Sequence, residues 1–174
     1  MNPWESWRVT SYVFAAHAPL YRLLGGWLVG KNTLILTTTG RKTGRKRSTP
    51  LLYVRDAEDY IIVASNGGED RYPGWWHNIR HNFEVEIQVG REIIACRAEP
   101  VSEEARPRLW AELTAIYRGY RKYQERTQRE LTVLRLKPRP PHPVAGAGTE
   151  GVNEHAKNEI HGRSRVDWVG DPLN

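Results

Sequence analysis

The sequence predicts a mainly β domain with flanking helices, an α+β arrangement in which six short antiparallel strands close wholly or partly into a barrel. Three observations predict it. β-Branched and apolar residues recur in short runs, connections of hairpin length join the runs, and two stretches of helical character interrupt them without adding a second core. Strands this short would leave exposed edges in an open sheet, and closure removes them. With 174 residues and a hydrophobic fraction of 39%, the chain has enough apolar material for one core and not for two.

Residues 4–29 cluster Trp4, Trp7, Val13, Phe14, Leu20, Leu23, Leu24 and Trp27. Pro19 lacks an amide proton and disfavours helix at Ala18, so it divides this stretch into two short helices. The N-terminal helical segment, residues 1–32, either covers one end of the core or lies at a lipid interface with Arg8, Arg22 and Lys31 near anionic head groups. From Thr33 the period becomes that of strands. Thr33–Thr39, Thr49–Arg55 and Tyr60–Ser65 read as a meander, Glu84–Val89 and Glu92–Glu99 as a hairpin turned at Gly90-Arg91, and Leu131–Leu136 as a last strand. Pro73 suits the first turn of a helix running to Ile79. Ser102 caps a second helix expected to bury Leu109, Trp110, Leu113 and Ile116, with Pro107 marking a late start. After Lys137 a proline-rich run leads into a stretch without period. Residues 138–174 therefore read as a flexible tail outside a barrel domain of residues 33–137.

A net charge of +6 calls for an anionic partner, and charge alone does not choose among nucleic acid, acidic lipid and a phosphorylated small molecule. The charge is concentrated in TTTGRKTGRKRSTPLLY, residues 37–53. There Arg41, Lys42, Arg45, Lys46 and Arg47 crowd around two glycines that allow a tight turn and close backbone approach. The stretch is either an anion-gripping loop between two strands or a solvated basic hairpin that keeps an edge soluble. Seven tryptophans and eight tyrosines against two phenylalanines favour ligand pockets or interfaces, because Trp and Tyr carry a polar handle.

Several chemistries lack support. The single cysteine, Cys96, rules out an internal disulfide and a multi-cysteine metal site, and its strand context IIACRAE supplies nothing to activate a thiol. His77 and His81 have the spacing of a two-histidine metal site, but Asn78, Ile79 and Arg80 between them lack the glutamate and place a cation beside the ligands. They read as structural, and no metal is expected. No nucleophile elbow or Walker-type loop occurs. The N-terminus lacks a signal-peptide pattern and no apolar run reaches membrane-spanning length, so the expected location is the cytoplasm, with peripheral contact at the inner face of the membrane open.

The small residues of ASNGG at the end of the third strand, the rings of Trp75 and Trp76 and the basic loop together describe a pocket for a large planar cofactor with an anionic tail. At these residues the chain resembles a known family. TTTGRKTGRKRSTPL, VASNGG, YPGWWHNIRHN with the following EVEIQV, and the spaced tyrosines of IYRGYRKYQERTQRE are similar to the deazaflavin-dependent nitroreductases over about residues 20–137. The resemblance implies the split β-barrel of the flavin oxidoreductases and coenzyme F420. It implies a phosphate and oligoglutamate tail held by Arg41, Lys42, Thr43 and Arg47, with Ser48, Thr49, Pro50, Leu51 and Leu52 lining the next strand. It places the deazaflavin beside Val63, Ala64, Ser65 and Asn66, with Gly74, Trp75, Trp76, His77 and Asn78 on the other side. Tyr117 would border cofactor and acceptor, and Tyr120 and Tyr123 would face the acceptor, with Ser65 and the three phenols as the catalytic set. Two departures bear on tail-length preference: the family carries lysine where Asn66 stands and an aromatic ring where Leu52 stands.

The reading is an oxidoreductase that passes a hydride from reduced deazaflavin to a small electron-poor acceptor such as a quinone, an activated alkene or a nitro-compound. The alternatives are an FMN-dependent enzyme on the same barrel and a non-enzymatic binder of single-stranded nucleic acid. The latter is disfavoured because the aromatics gather near one helix rather than alternating along strands.

Overall fold

The computed structural model describes residues 32–139. The expected N-terminal helices, their lipid-facing alternative and nearly all of the expected tail lie outside the described residues. The strands are β1 (Thr33–Thr39), β2 (Lys46–Leu52), β3 (Val54–Asp56), β4 (Asp59–Val63), β5 (Glu84–Val89), β6 (Glu92–Pro100) and β7 (Val133–Pro138). Between them lie a 3-10 turn at Asn66–Gly68 and the helices α1 (Gly74–His81), α2 (Arg106–Ile116) and α3 (Gly119–Arg126).

All neighbouring strands are antiparallel, in the order β2-β1-β5-β6-β7-β4-β3. The strands at the two ends of that order, β2 and β3, are consecutive in the chain with only Tyr53 between them. The sheet therefore curls until its ends meet in one bent strand, which is the barrel the strand pattern predicted. The run expected as a single strand, Thr49–Arg55, is in fact two. The Tyr53 amide still donates to the Asn32 carbonyl at 3.0 Å, in register with the β1–β2 pairing, and from Val54 the chain pairs with β4 instead. Pro50, which cannot donate to a ladder, sits opposite Ile35 on β2, whose only strand partner among the described residues is β1.

β1 is buried on both faces, with Leu34, Leu36 and Thr38 on one and Ile35 and Thr37 on the other. Its neighbours β2 and β5 flank it, and α1 packs against it. A second apolar cluster joins Val54, Ile61, Val63 and Val133 to Leu109, Leu113 and Tyr120, so α2 and α3 cover the β3-β4-β7 part of the sheet. Cys96 is fully buried, and loss of solvent pushes its thiol up to about 12, which removes it from nucleophilic chemistry.

The late helix start that Pro107 marks holds, and three other helix and boundary expectations need correction. α2 starts at Arg106 with Pro107 in its first turn, where a missing amide proton costs nothing. Ser102 lies a turn earlier, accepting the Ala105 amide on its hydroxyl at 3.4 Å. Ile116, expected in the core, is 41% exposed, and Thr114 is buried in its place. β7 begins two residues later than expected and runs through Pro138, with the Arg139 amide bonded to the Ala95 carbonyl at 2.8 Å.

Candidate functional site

The basic stretch divides between a turn and a strand. Residues 40–45 form a turn closed by Gly40 N–H to Arg45 O at 2.8 Å and Gly44 N–H to Gly40 O at 2.7 Å, with Gly44 at φ 66°. Lys46 and Arg47, expected in the loop, already belong to β2. Thr43 spends its hydroxyl locally, accepting the Arg45 amide at 3.4 Å. Lys46 pairs with Glu86 at 3.8 Å, whereas Arg41, Lys42, Arg45 and Arg47 are exposed and have no acidic partner among the described residues. Three cations on one short turn, with Arg47 on the strand that leaves it, lack internal compensation and suit an external anion.

Asn78 fixes this turn. Its Oδ1 accepts the Arg41 amide at 3.1 Å and its Nδ2 donates to Thr38 Oγ1 at 3.1 Å, tying α1 to both β1 and the basic turn. The resemblance implies Asn78 among the cofactor-binding residues, and its side chain is in addition a strut for the residues that present charge. Next to it, the Thr37 and Ser48 hydroxyls share a hydrogen bond of 2.9 Å across β1 and β2. Ser48, Thr49, Pro50, Leu51 and Leu52 are all half-buried along β2.

The other wall starts at the end of β4. Val63 and Ala64 are buried, and Ala64 has both backbone groups occupied, its amide by the Thr132 carbonyl at 2.9 Å and its carbonyl by Arg129 at 3.0 Å. Ser65 and Asn66 are half-buried. Asn66 has φ 47°, a left-handed conformation that asparagine tolerates, and its amide nitrogen donates to the Arg71 carbonyl at 2.9 Å and Glu69 at 3.1 Å. It thus holds its own loop in shape. On α1, Gly74 is exposed, His77 is half-buried, and Trp75 and Trp76 are buried. Tyr72 stacks on Trp76 with ring centroids 3.8 Å apart and planes 12° from parallel, so one face of that indole backs the wall instead of offering itself to a ligand.

The three tyrosines gather without being equivalent. Tyr117 follows α2 in an extended conformation and is 37% exposed. Its hydroxyl shares a 2.9 Å hydrogen bond with that of Tyr123. Gly119 makes room for it, since a Cβ there would stand 2.3 Å from the Tyr117 ring. Burial, then the bond to Tyr117, pushes the Tyr123 phenol up to about 12. Tyr120 is 6% exposed within the apolar cluster and meets the Tyr117 ring edge-on at 5.2 Å. Its hydroxyl, shifted up mainly by burial, is less available than the other two.

Gly68 brings this cluster to the Ser65 segment. It has φ 83°, and a Cβ on it would lie 2.8 Å from both Cα and O of Tyr123. Sequence reasoning missed Arg129, whose guanidinium spans the carbonyls of Ala64, Ser65 and Glu69 and lies over Tyr72. Its only trace in the sequence is one arginine in a charged run.

The arrangement fits a cofactor with a long anionic tail: an uncompensated basic turn is tied by Asn78 to the helix that faces it, and Gly68 of the turn at Asn66–Gly68 lies against the backbone of Tyr123. Comparison with known proteins agrees. The family described as F420H(2)-dependent quinone reductase matches residues 16–138. An F420H(2)-dependent quinone reductase of Mycobacterium tuberculosis is 37% identical over 144 residues, covering 78% of this chain and 97% of its own length. A solved structure described as an F420-H2 dependent reductase shares 32% identity with a TM-score of 0.57, covering 62% of this chain and 95% of that one. Another, described as a domain-swapped dimer, shares 29% identity with a TM-score of 0.59, covering 74% of this chain and 98% of that one. The expected deazaflavin resemblance and split barrel hold, and the FMN and nucleic-acid alternatives lose their support. The chain belongs to the F420H(2)-dependent quinone reductase family, oxidoreductases whose cofactor is coenzyme F420.

Proposed function

We propose that the protein reduces quinones with F420H2, and that the Tyr117–Tyr123 phenol pair and the Ser65 hydroxyl face the acceptor. The observation that carries this is the contact at Gly68, which places the backbone of Tyr123 against the turn that follows Ser65. The bound coenzyme supplies the hydride. Arg41, Lys42, Arg45 and Arg47 hold its anionic tail, and Asn78 holds their turn. Hydride arrival builds negative charge on an acceptor oxygen, and a phenol stabilises that charge by donating a hydrogen bond. Burial and the bond to Tyr117 push the Tyr123 phenol up, which keeps it able to donate at neutral pH. Activated alkenes and nitro-compounds place charge on oxygen in the same way and are proposed as further acceptors.

Phenylalanine substitutions test this, since they remove a hydroxyl and keep most of the packing. Tyr117→Phe or Tyr123→Phe is expected to lower turnover roughly tenfold or more, about 1.4 kcal/mol in the barrier, with cofactor affinity nearly unchanged. Tyr120→Phe reports packing alone, and Ser65→Ala tests the remaining hydroxyl. Wild-type turnover in the Tyr117, Tyr123 and Ser65 variants would remove these groups from the chemistry.

We further propose a cytoplasmic protein that meets the inner membrane face through its N-terminal Trp and Leu residues, where lipid-soluble quinones reside. Co-sedimentation with anionic vesicles, lost on removing residues 1–18, is the expected result.

A further inference from the structure

We propose that Arg129 is a positioning residue for hydride transfer, holding the Ser65 segment and the tyrosine helix in register with the helix that supports the cofactor loop. The proposal rests on the reading above. Nη1 of Arg129 donates to the Ala64 carbonyl at 3.0 Å, Nη2 to Ser65 at 2.9 Å and Nε to Glu69 at 3.0 Å. One planar group thus occupies three carbonyls across the sharpest part of the chain, where Asn66, Gly67 and Gly68 all have positive φ. A lysine could not span them, because it offers a point charge and not a rigid fork.

The same guanidinium lies 4.4 Å from the Tyr72 centroid, and Tyr72 stacks on Trp76 of α1. α1 in turn carries Asn78, the strut of the basic turn. Towards the acceptor side, Gln124 of α3 reads the backbone on either side of Glu130, donating to the Arg129 carbonyl at 2.9 Å and accepting the Leu131 amide at 2.9 Å. Thr127 adds a bond to Asp70 at 2.7 Å. Arg129 therefore sits where the cofactor side and the acceptor side of the fold meet. Burial draws its pKa below the ordinary arginine value, a cost the three carbonyls and the Tyr72 ring offset.

The test uses the full-length protein, F420H2 and a soluble naphthoquinone. Arg129→Gln is expected to lower kcat tenfold or more while cofactor Kd, read from quenching of tryptophan fluorescence, stays within threefold. Methylguanidinium is expected to restore a measurable part of kcat in Arg129→Ala, which a general loss of stability would not allow. If Arg129→Gln does not fold, Arg129→Lys replaces it, with the same split between kcat and Kd expected. Hydrogen exchange supplies a readout independent of turnover: the Gly68 amide, bonded to Ser65 O at 2.9 Å, should exchange faster in either variant. Wild-type kcat, a loss of kcat matched by loss of cofactor affinity, or unchanged Gly68 exchange would each overturn the proposal. A wild-type protein inactive towards the naphthoquinone would instead overturn the functional reading beneath it, leaving the exchange experiment to decide the clamp.

Discussion

Gly68→Val is expected to abolish acceptor reduction and to destabilise the fold by about 2–6 kcal/mol, from a branched residue at positive φ and from over-packing of about 1–3 kcal/mol each. Gly68 sits at φ 83°, and its missing Cβ would stand 2.8 Å from two backbone atoms of Tyr123. Backbone cannot swing away as a side-chain tip can. The strain must either shift α3 or reshape the Asn66–Gly68 turn, and each changes the distance between Ser65 and the phenol pair. Thermal unfolding reads the stability loss and quinone-dependent oxidation of F420H2 reads the function. Turnover and melting temperature both at wild-type values would mean that α3 is not held against this turn in solution.

Lys42→Ala with Arg47→Ala is expected to weaken coenzyme binding by about 1–3 kcal/mol, roughly 5- to 150-fold in Kd, with little change in stability. Both side chains are exposed and neither has an acidic partner among the described residues, so removing them frees no buried charge. Their value lies in the ligand. Because exposed charges are screened within a Debye length of about 8–10 Å, the wild-type Kd should also rise with salt, and the double variant should respond less steeply. An unchanged Kd and an unchanged salt response would remove the tail from this loop. Lys46 is a weaker candidate than its neighbours because Glu86 already lies 3.8 Å from it.

The barrel was legible because its signals are local. Short β-branched runs, the Gly90 turn and the Pro73 helix start each report a conformation their own neighbours impose. The break at Tyr53 was not legible, because residues on both sides of it suit a strand and only the closure of the sheet bends the chain there. The basic turn was visible as charge, yet the strut that holds it joins residues separated by 37 positions, Arg41 and Asn78. Arg129 escaped for the same reason: its partners at Ala64 and Ser65 lie 65 and 64 residues away, and its work is done on carbonyls that carry no sequence signature. The tyrosines were found as a group, with the resemblance turning Tyr120 and Tyr123 alike towards the acceptor. The end of α2 at Tyr117 instead leaves that residue exposed and Tyr120 in the core.

The cofactor of this chain is tested most directly by the absorbance of the purified protein after incubation with each cofactor and desalting. Incubated with F420 at low salt, the protein should retain the deazaflavin spectrum, release it as salt rises, and oxidise F420H2 only when a quinone is added. Incubated with FMN, it should emerge without the flavin. Tight retention of FMN together with no binding or oxidation of F420H2 would contradict the account.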